Sequence, residues 1–97
     1  NVRNASNNIP VDDVSALSAL MPKAAAESLS RIVSEYAATK GIQTSSALCS
    51  VYPESVSTSS GTTTLEVLIY DAQKNGYAIK ADYDSASDRF GMSMTQL

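Results

Sequence analysis

The spacing of apolar residues changes once along the chain, near Gly41. Before this glycine, apolar residues recur every three or four positions, which is typical of one face of an α-helix; they are Ala25, Leu29, Ile32, Val33 and Tyr36. Lys40 and Gly41 then supply a basic last turn and a residue that readily adopts the left-handed conformation, so the helix is predicted to end there. After Gly41 the apolar spacing becomes two, which predicts β-strands.

A shorter apolar pattern precedes this helix, from Val14 to Met21. Asp12 or Asp13 can cap its start, because a carboxylate accepts hydrogen bonds from the free N–H groups of a first turn. Pro22 follows, and proline lacks an N–H group and restricts the residue before it. The N-terminal half is therefore predicted to be a helix that breaks or kinks at Pro22.

Turn residues divide the C-terminal half into alternating segments. A weak strand is predicted over Ser46–Val51, where Pro53 indicates an edge strand or a bulge, and Ser57–Gly61 is predicted to be a loop. The clearest strand is Thr63–Asp71, and an Asn-Gly pair at Asn75 is a hairpin signal before the next strand. One face of the predicted sheet collects the apolar residues Leu65, Val67, Ile69, Tyr77, Ile79, Phe90, Met92 and Met94.

The elements together predict an α+β domain, with the N-terminal helix packed on a three- to four-stranded antiparallel meander. We assign residues 10–97 to this single domain and residues 1–9 to a polar N-terminal tether. Four of the first eight residues are Asn, and Asn4-Ala5-Ser6 fits the N-glycosylation pattern.

The order of a helix ending at Gly41 and an antiparallel meander resembles the element order of cystatin-like and NTF2-like domains and of pilin heads. A cystatin-like domain would imply protease inhibition, but the chain has neither the Gln-x-Val-x-Gly loop nor any Trp. An NTF2-like domain would imply a cone that binds a small ligand or catalyses a reaction. A pilin head would imply self-assembly through a hydrophobic helix preceding Asn1. Element order alone does not decide among these functions.

Composition narrows the possible partners. The net charge is −3 and the seven basic residues are scattered, so nucleic-acid binding is not expected. Sixteen Ser and seven Thr against four Lys favour an exported bacterial domain, extracellular or at the cell surface. No apolar run is long enough to cross a bilayer, so we expect any membrane attachment to use a segment before Asn1.

The sequence offers few groups for catalysis. It contains no His, no Ser-x-x-Lys pair and no Gly-rich phosphate loop, and its one cysteine, Cys49, lies in a strand pattern typical of a buried hydrophobe. We therefore expect no enzymatic activity and no cofactor. The only metal candidate is a weak calcium site at Asp82, Asp84 and Asp88, for which an acidic turn that caps backbone N–H groups is the alternative.

A second sheet face, opposite Leu65 and Val67, is the predicted partner surface. Its residues are Leu68, Tyr70 and Lys80, with Tyr52 beside them, and an edge strand near Cys49–Tyr52 is the other candidate. The expected function is a non-enzymatic interaction or assembly domain of an exported, cell-surface or membrane-tethered bacterial protein, which binds a protein partner or itself. The alternatives are an NTF2-like ligand-binding or enzymatic cone and a pilin-like assembly subunit.

Overall fold

A computed structural model describes residues 7–97 and shows two helices packed on one antiparallel sheet, which confirms the α+β class. The sheet order is β1-β2-β3-β4-β5, and each strand is antiparallel to the next. The elements are β1 (Ile9–Pro10), α1 (Val14–Ser18), α2 (Lys23–Thr39), a 3₁₀ turn (Ser46–Leu48), β2 (Cys49–Ser59), β3 (Thr62–Tyr70), β4 (Gly76–Asp84) and β5 (Arg89–Gln96).

The break at Pro22 is confirmed. Asp13 caps α1, since its carboxylate accepts a hydrogen bond from the Ala16 N–H at 3.2 Å. The chain then leaves the helical conformation, and Pro22, at φ −55° and ψ 143°, immediately precedes the first residue of α2. The two helices therefore form as separate elements joined by a short non-helical connection.

Helix α2 ends at Thr39, and its C-terminal cap lies at Lys40 and Gly41, as predicted. The Ile42 N–H donates to the Ala37 carbonyl at 2.9 Å and the Gly41 N–H donates to the Ala38 carbonyl at 3.0 Å, the pair of bonds that defines a Schellman cap. Gly41 has a φ of +75°, which side-chain-bearing residues rarely adopt.

The buried stripe of α2 differs from the predicted one at four residues. Ile32 and Tyr36 are only partly buried, whereas Ala26 and Ala37 are completely enclosed with Ala25, Leu29 and Val33. The face of α2 that is buried is thus rotated slightly from the predicted one, towards Ala26 and Ala37 and away from Ile32 and Tyr36.

The predicted apolar face of the sheet is confirmed. Val67 pairs with Val51 on one side and Ile79 on the other, so apolar residues continue across neighbouring strands. Leu65, Val67, Ile69 and Ile79 are fully buried, and Tyr77, Phe90, Met92 and Met94 pack against the same core at its periphery. Leu17 of α1 enters this core too, so both helices cover this first face of the sheet.

Strand β2 differs most from its prediction. It begins at Cys49, because Ser46–Leu48 forms a 3₁₀ turn, and it continues through Pro53 to Ser59. The predicted loop at Ser57–Gly61 is therefore wrong for Ser57–Ser59. The bulge indicated by Pro53 is confirmed, since the register with β3 shifts between Tyr52 and Ser57.

The sheet has five strands rather than the predicted three to four, and the additional strand, β1, overlaps the last residue of the predicted tether. Ile9 pairs with Val51, and the Asn8 side-chain amide donates to the Ser50 hydroxyl at 3.2 Å. Ordered pairing thus begins one residue before the predicted start of the domain at Pro10. Residues 1–6, including the Asn4-Ala5-Ser6 pattern, lie outside the described residues. No helix within residues 7–97 is long and apolar enough to cross a membrane.

Candidate functional site

The four residues predicted to form a partner surface share one face of the sheet. Tyr52 and Lys80 both lie opposite Glu66, one on each side of it. Leu68 and Tyr70 follow Glu66 at alternate positions of β3, so their side chains point the same way. This second face is opposite the one that the helices cover.

Leu68 nevertheless is not available to a partner, because only 1% of its surface is exposed. It lies at the floor of a shallow depression of about 190 Å³, whose other lining residues are Pro10, Ala47, Leu48, Cys49, Ser50 and Tyr70. The predicted partner surface is corrected accordingly: Leu68 supports the surface from below, while its neighbours form the part that a partner could contact.

Exposed apolar side chains gather at one corner of this second face. Leu20, Leu48, Tyr70 and Leu97 are the large hydrophobic residues in the described part of the chain that are exposed, by 37%, 40%, 38% and 51%. Leu48 and Tyr70 line the depression above Leu68. Leu97 joins them across Gly76. We call Leu48, Leu68, Tyr70 and Leu97 the corner patch.

Gly76 allows the Tyr70 ring and Leu97 to meet. A Cβ atom at Gly76 would lie 3.1 Å from Cε1 of Tyr70 and 3.4 Å from Cδ1 of Leu97. Both side chains therefore lie over this glycine, where any larger residue would displace them. Leu97 is fixed by its N–H, which donates to the Gly76 carbonyl at 2.9 Å.

The segment before β2 is held against the same corner by polar contacts. The Thr44 hydroxyl donates to the carbonyl of Tyr70 at 2.6 Å, and the Cys49 thiol donates to the carbonyl of Ser45 at 3.2 Å. These bonds fix the 3₁₀ turn, whose last residue, Leu48, then projects beside Tyr70. Sequence reasoning missed Leu48 because it treated the turn as part of a strand.

Cys49 is buried, as its sequence context predicts. Burial raises the pKa of its thiol, and the contact with the Thr44 hydroxyl only partly opposes this effect. A nucleophilic cysteine requires a lowered pKa and an accessible sulfur atom. Cys49 has neither property, so its role is to fill the core beside Ile69.

The predicted edge near Cys49–Tyr52 is covered. Strand β1 pairs with Val51 and Ser50, and the Val11 N–H donates to the Cys49 carbonyl at 3.2 Å. Residues 49–51 are therefore an internal part of the sheet, which corrects the prediction that this part of the segment could receive a partner. The error arose because a two-residue strand has too short a pattern to be recognised in the sequence.

The three carboxylates of the calcium candidate bind different partners. Asp82 accepts from the Thr64 hydroxyl at 3.0 Å, and Asp84 accepts from Ser87 at 2.7 Å. Asp88 instead accepts from the hydroxyl of Tyr83 at 2.5 Å. Among residues 7–97, no three His, Cys, Asp or Glu side chains are close enough to hold a metal ion together.

These contacts do not support the weak calcium candidate, and they differ from the alternative too, because side-chain hydroxyls rather than backbone N–H groups donate to the three carboxylates. Tyr83 is buried on the first sheet face, whereas Asp82 and Asp84 alternate with it and point to the second face. The hydrogen bond to Asp88 is the main reason that the pKa of Tyr83 is raised, with burial adding to it. Asp88 thus secures an aromatic residue of the core, whose ring lies 4.9 Å from that of Phe90.

A larger groove lies between α2 and the outer strand β5. It has a volume of about 500 Å³, and its apolar lining consists of Ile32, Tyr36, Phe90 and Met92. Its polar lining consists of Glu35, Thr39, Asp88 and Arg89. The sequence pattern placed Ile32 and Tyr36 in the core, whereas both line this groove. Their spacing of four residues indicated that they lie on the same side of the helix.

The fold and these surfaces define a class: a small α+β domain in which exposed apolar residues, rather than clustered ionisable groups, are the distinctive feature of residues 7–97. Comparison with known proteins adds no relative. No family model, no curated protein and no solved structure matches the chain.

Proposed function

We propose that this chain is a non-enzymatic interaction domain that binds a protein partner through the corner patch. The observation that carries this proposal is the position of Leu48, Tyr70 and Leu97, three of the four exposed large hydrophobic residues within residues 7–97, around the buried Leu68. Contiguous exposed apolar groups of this kind mark interaction sites in soluble proteins.

The chemistry of the patch suits a protein partner. Tyr70 offers a large ring with few rotatable bonds, and its packing over Gly76 reduces the entropy that binding would cost. Tyrosine is enriched at interfaces for this reason. Along the same face, Tyr52, Glu66 and Lys80 supply a polar border, in which Tyr52 donates to Glu54 at 2.8 Å.

The test replaces the two accessible members of the patch, in the double variant Leu48→Ser and Tyr70→Ser. Each side chain is more than a third exposed, so we expect the variant to fold and to lose at least tenfold in affinity for partners that use the patch. Leu20→Ser is the matched control, because Leu20 is equally exposed and lies outside the patch.

The measurement compares proteins captured from the source cells by the wild type and both variants, followed by titration of each purified partner. A partner retained by the wild type and by Leu20→Ser, but lost by the double variant, supports the proposal. Equal affinity of the three proteins for every captured partner contradicts it, provided that circular dichroism shows all three folded.

We propose further that the domain belongs to an exported bacterial protein that acts at the cell surface or is tethered to the membrane. The support is compositional: abundant Ser and Thr, few Lys and a net charge of −3. Fractionation of the source cells, with detection of the native protein in each fraction, tests this proposal. Recovery of the protein only from the cytosol would contradict it.

A small-ligand site is the second candidate function, and the α2–β5 groove favours it. Its volume of about 500 Å³ lies within the range of roughly 300–1,000 Å³ that ligand sites occupy. A thermal-shift screen with small apolar compounds tests this function. Stabilisation that disappears in Ile32→Ser would support it, whereas ligand-independent melting across the screen would favour the interaction domain.

A further inference from the structure

The two edges of the sheet differ in how well they are protected against pairing with another strand. Beyond the residues that β1 covers, β2 carries Pro53, Glu54 and a bulge between Tyr52 and Ser57. Proline, charged side chains and bulges are among the devices by which natural sheets prevent an edge from pairing with another strand. The β2 edge is therefore blocked along most of its length.

From Phe90 onward, strand β5 has none of these devices. Its register with β4 continues without a shift from Arg89 to Gln96. From Phe90 to Leu97 the sequence contains no charged residue and no proline. Apart from Arg89 at its start, β5 is thus a regular, uncharged strand at the end of the sheet order, with one side of its backbone unpaired within the described residues.

The hydrogen bond from the Leu97 N–H to the Gly76 carbonyl shows which backbone groups are free. Residues 97 and 76 form a hydrogen-bonded pair, and such pairs alternate along an antiparallel ladder. The backbone groups of Gly91, Ser93 and Thr95 therefore face β4. Those of Met92 and Met94 face outward, together with Phe90 and Gln96, and can pair with an added strand.

The side chains of β5 are arranged nearly symmetrically about Ser93. Met92 and Met94 are its immediate neighbours, and the small residues Gly91 and Thr95 lie two positions before and after it. An antiparallel pair around a two-fold axis places a strand against its own reverse. With the axis at Ser93, Met92 of one copy lies opposite Met94 of the other, and the two Ser93 residues face each other.

We propose that β5 pairs with β5 of a second copy of this chain, antiparallel and centred on Ser93, to form a continuous ten-stranded sheet. Pairing of the four outward-facing residues of each strand would make about eight backbone hydrogen bonds. The inference concerns a surface separate from the corner patch residues Leu48 and Tyr70, and it does not depend on the function proposed for them.

Two features favour a second copy of this chain as the partner of this edge: the strand carries no charge from Phe90 onward, and it borders the apolar α2–β5 groove. Two copies each carry a net charge of −3 and repel overall, but the strand from Phe90 to Leu97 contributes no charge to a contact. On the first face, Met94 of the second copy would lie beside Met92, at the open side of the α2–β5 groove. The dimer thereby buries the partly exposed apolar lining of that groove.

Charge substitution at Ser93 gives a decisive test. Ser93 is exposed, so Ser93→Lys and Ser93→Glu should both fold, as circular dichroism will check. In a dimer of either variant, two like charges would face each other across the axis, so we expect each variant to be a monomer. In analytical ultracentrifugation the wild type should sediment with twice the monomer mass of 10.2 kDa. Ser93→Gln, a neutral control of similar size, should remain a dimer.

An equal mixture of Ser93→Lys and Ser93→Glu should recover the dimer, because opposite charges then face each other. This recovery requires a second copy at this position, and pairing with another protein would not produce it. A wild-type protein that stays monomeric at the highest soluble concentration overturns the proposal. Dimerisation of Ser93→Lys equal to that of the wild type overturns it too.

A second variant covers the case in which charge at Ser93 unfolds the chain. The two Ser93 residues would form a non-hydrogen-bonded pair, with Cα atoms about 4.5 Å apart, which a disulfide can bridge. Ser93→Cys should therefore cross-link on mild oxidation, whereas Thr95→Cys should not. Equal cross-linking of both overturns the register. The Leu48→Ser, Tyr70→Ser variant should still dimerise, which separates this result from that of the proposed function.

Discussion

Gly41 and Gly76 are needed for different reasons. Gly41 adopts a φ of +75° in the cap of α2, and the space around a Cβ atom there is empty. Gly76 has an ordinary strand conformation, but its missing side chain leaves room for Tyr70. Backbone conformation governs the first position, and side-chain packing governs the second.

Replacement of Gly41 by Ala isolates the conformational contribution. Since a Cβ atom would meet no neighbour, we expect only the cost of the left-handed conformation, a loss of about 1–2 kcal/mol in the free energy of unfolding. Urea denaturation measures this value. Gly91→Ala is the control, because Gly91 has open space and no positive φ; equal destabilisation of both variants would contradict this explanation.

Asp71 organises the loop between β3 and β4. Its carboxylate accepts hydrogen bonds at 2.9 Å from the side chain and the N–H of Asn75 and from the N–H of Gln73. The side-chain bond from Asn75 is the main reason that the pKa of Asp71 is lowered, and a contact from the Tyr77 hydroxyl adds to it. The folded loop therefore favours the ionised carboxylate.

This lowered pKa predicts a pH-dependent contribution to stability. Because the folded protein holds the ionised form, the contribution is complete above the ordinary carboxyl pKa of 3.8 and is lost as the pH falls through the lowered value. Asp71→Ala should melt at a lower temperature than the wild type at neutral pH, and this difference should shrink towards about pH 2. A difference that is independent of pH would show that the charge is not what the loop requires.

Among the elements, long regular segments could be predicted from the sequence and short or irregular ones could not. The helix to Gly41, the break at Pro22 and the apolar face of β3 follow from periodicity over many residues. Strand β1 has only two residues, which is too short for any period. The bulge in β2 interrupts alternation between Tyr52 and Ser57, so the remaining Ser and Thr residues resemble a loop.

The end of β2 is a strand because its polar side chains find partners. Thr63 is completely buried, and its hydroxyl forms a hydrogen bond of 2.9 Å with that of Thr58 on the neighbouring strand. Composition alone predicts a loop here. Cross-strand pairing, which depends on the register, is the interaction that sequence reasoning could not supply.

The observed face of α2 predicts which of its residues maintain the fold. Leu29 is completely buried among helix and sheet residues, so Leu29→Ala should lower the free energy of unfolding by about 2–5 kcal/mol. Chemical denaturation tests this value.

Arg31→Ala serves as the control for the same helix. Its ion pair with Glu35, at 3.2 Å, lies between side chains that are 63% and 62% exposed. Exposed helix pairs of this type contribute only about 0.3–0.5 kcal/mol. A larger loss in Arg31→Ala than in Leu29→Ala would contradict the orientation of the helix.

At the scale of the whole molecule, the candidate surface could be predicted only in part. Alternation along β3 and β4 correctly placed Tyr70 and Lys80 on one face, since side-chain direction follows from position in a strand. Leu48 and Leu97 reach the same corner through a 3₁₀ turn and through pairing with Gly76, which no local pattern reveals. The burial of Leu68 likewise depends on residues distant in sequence.

The burial of Cys49 allows the unfolding of the whole molecule to be followed at one atom. The thiol is enclosed by the core, and its raised pKa leaves less of the reactive thiolate. We expect a thiol reagent to label the native protein slowly and the denatured protein at once. Rapid native labelling would show that the 3₁₀ turn and the start of β2 open separately from the rest of the sheet.

The order of the strands in the sheet determines how the molecule would unfold when it is stretched. The residues Ile9, Val51, Val67, Ile79 and Met94 form one row across the five strands. Leu97 lies three residues beyond that row, so a pull between Ile9 and Leu97 acts about 19 Å across the strands and only about 10 Å along them. Such a load opens hydrogen bonds one after another, starting with the outer strands. Stretching would therefore detach β5 while the centre of the sheet stays folded on α2, and mechanical force alone could separate a pair of molecules joined through that strand.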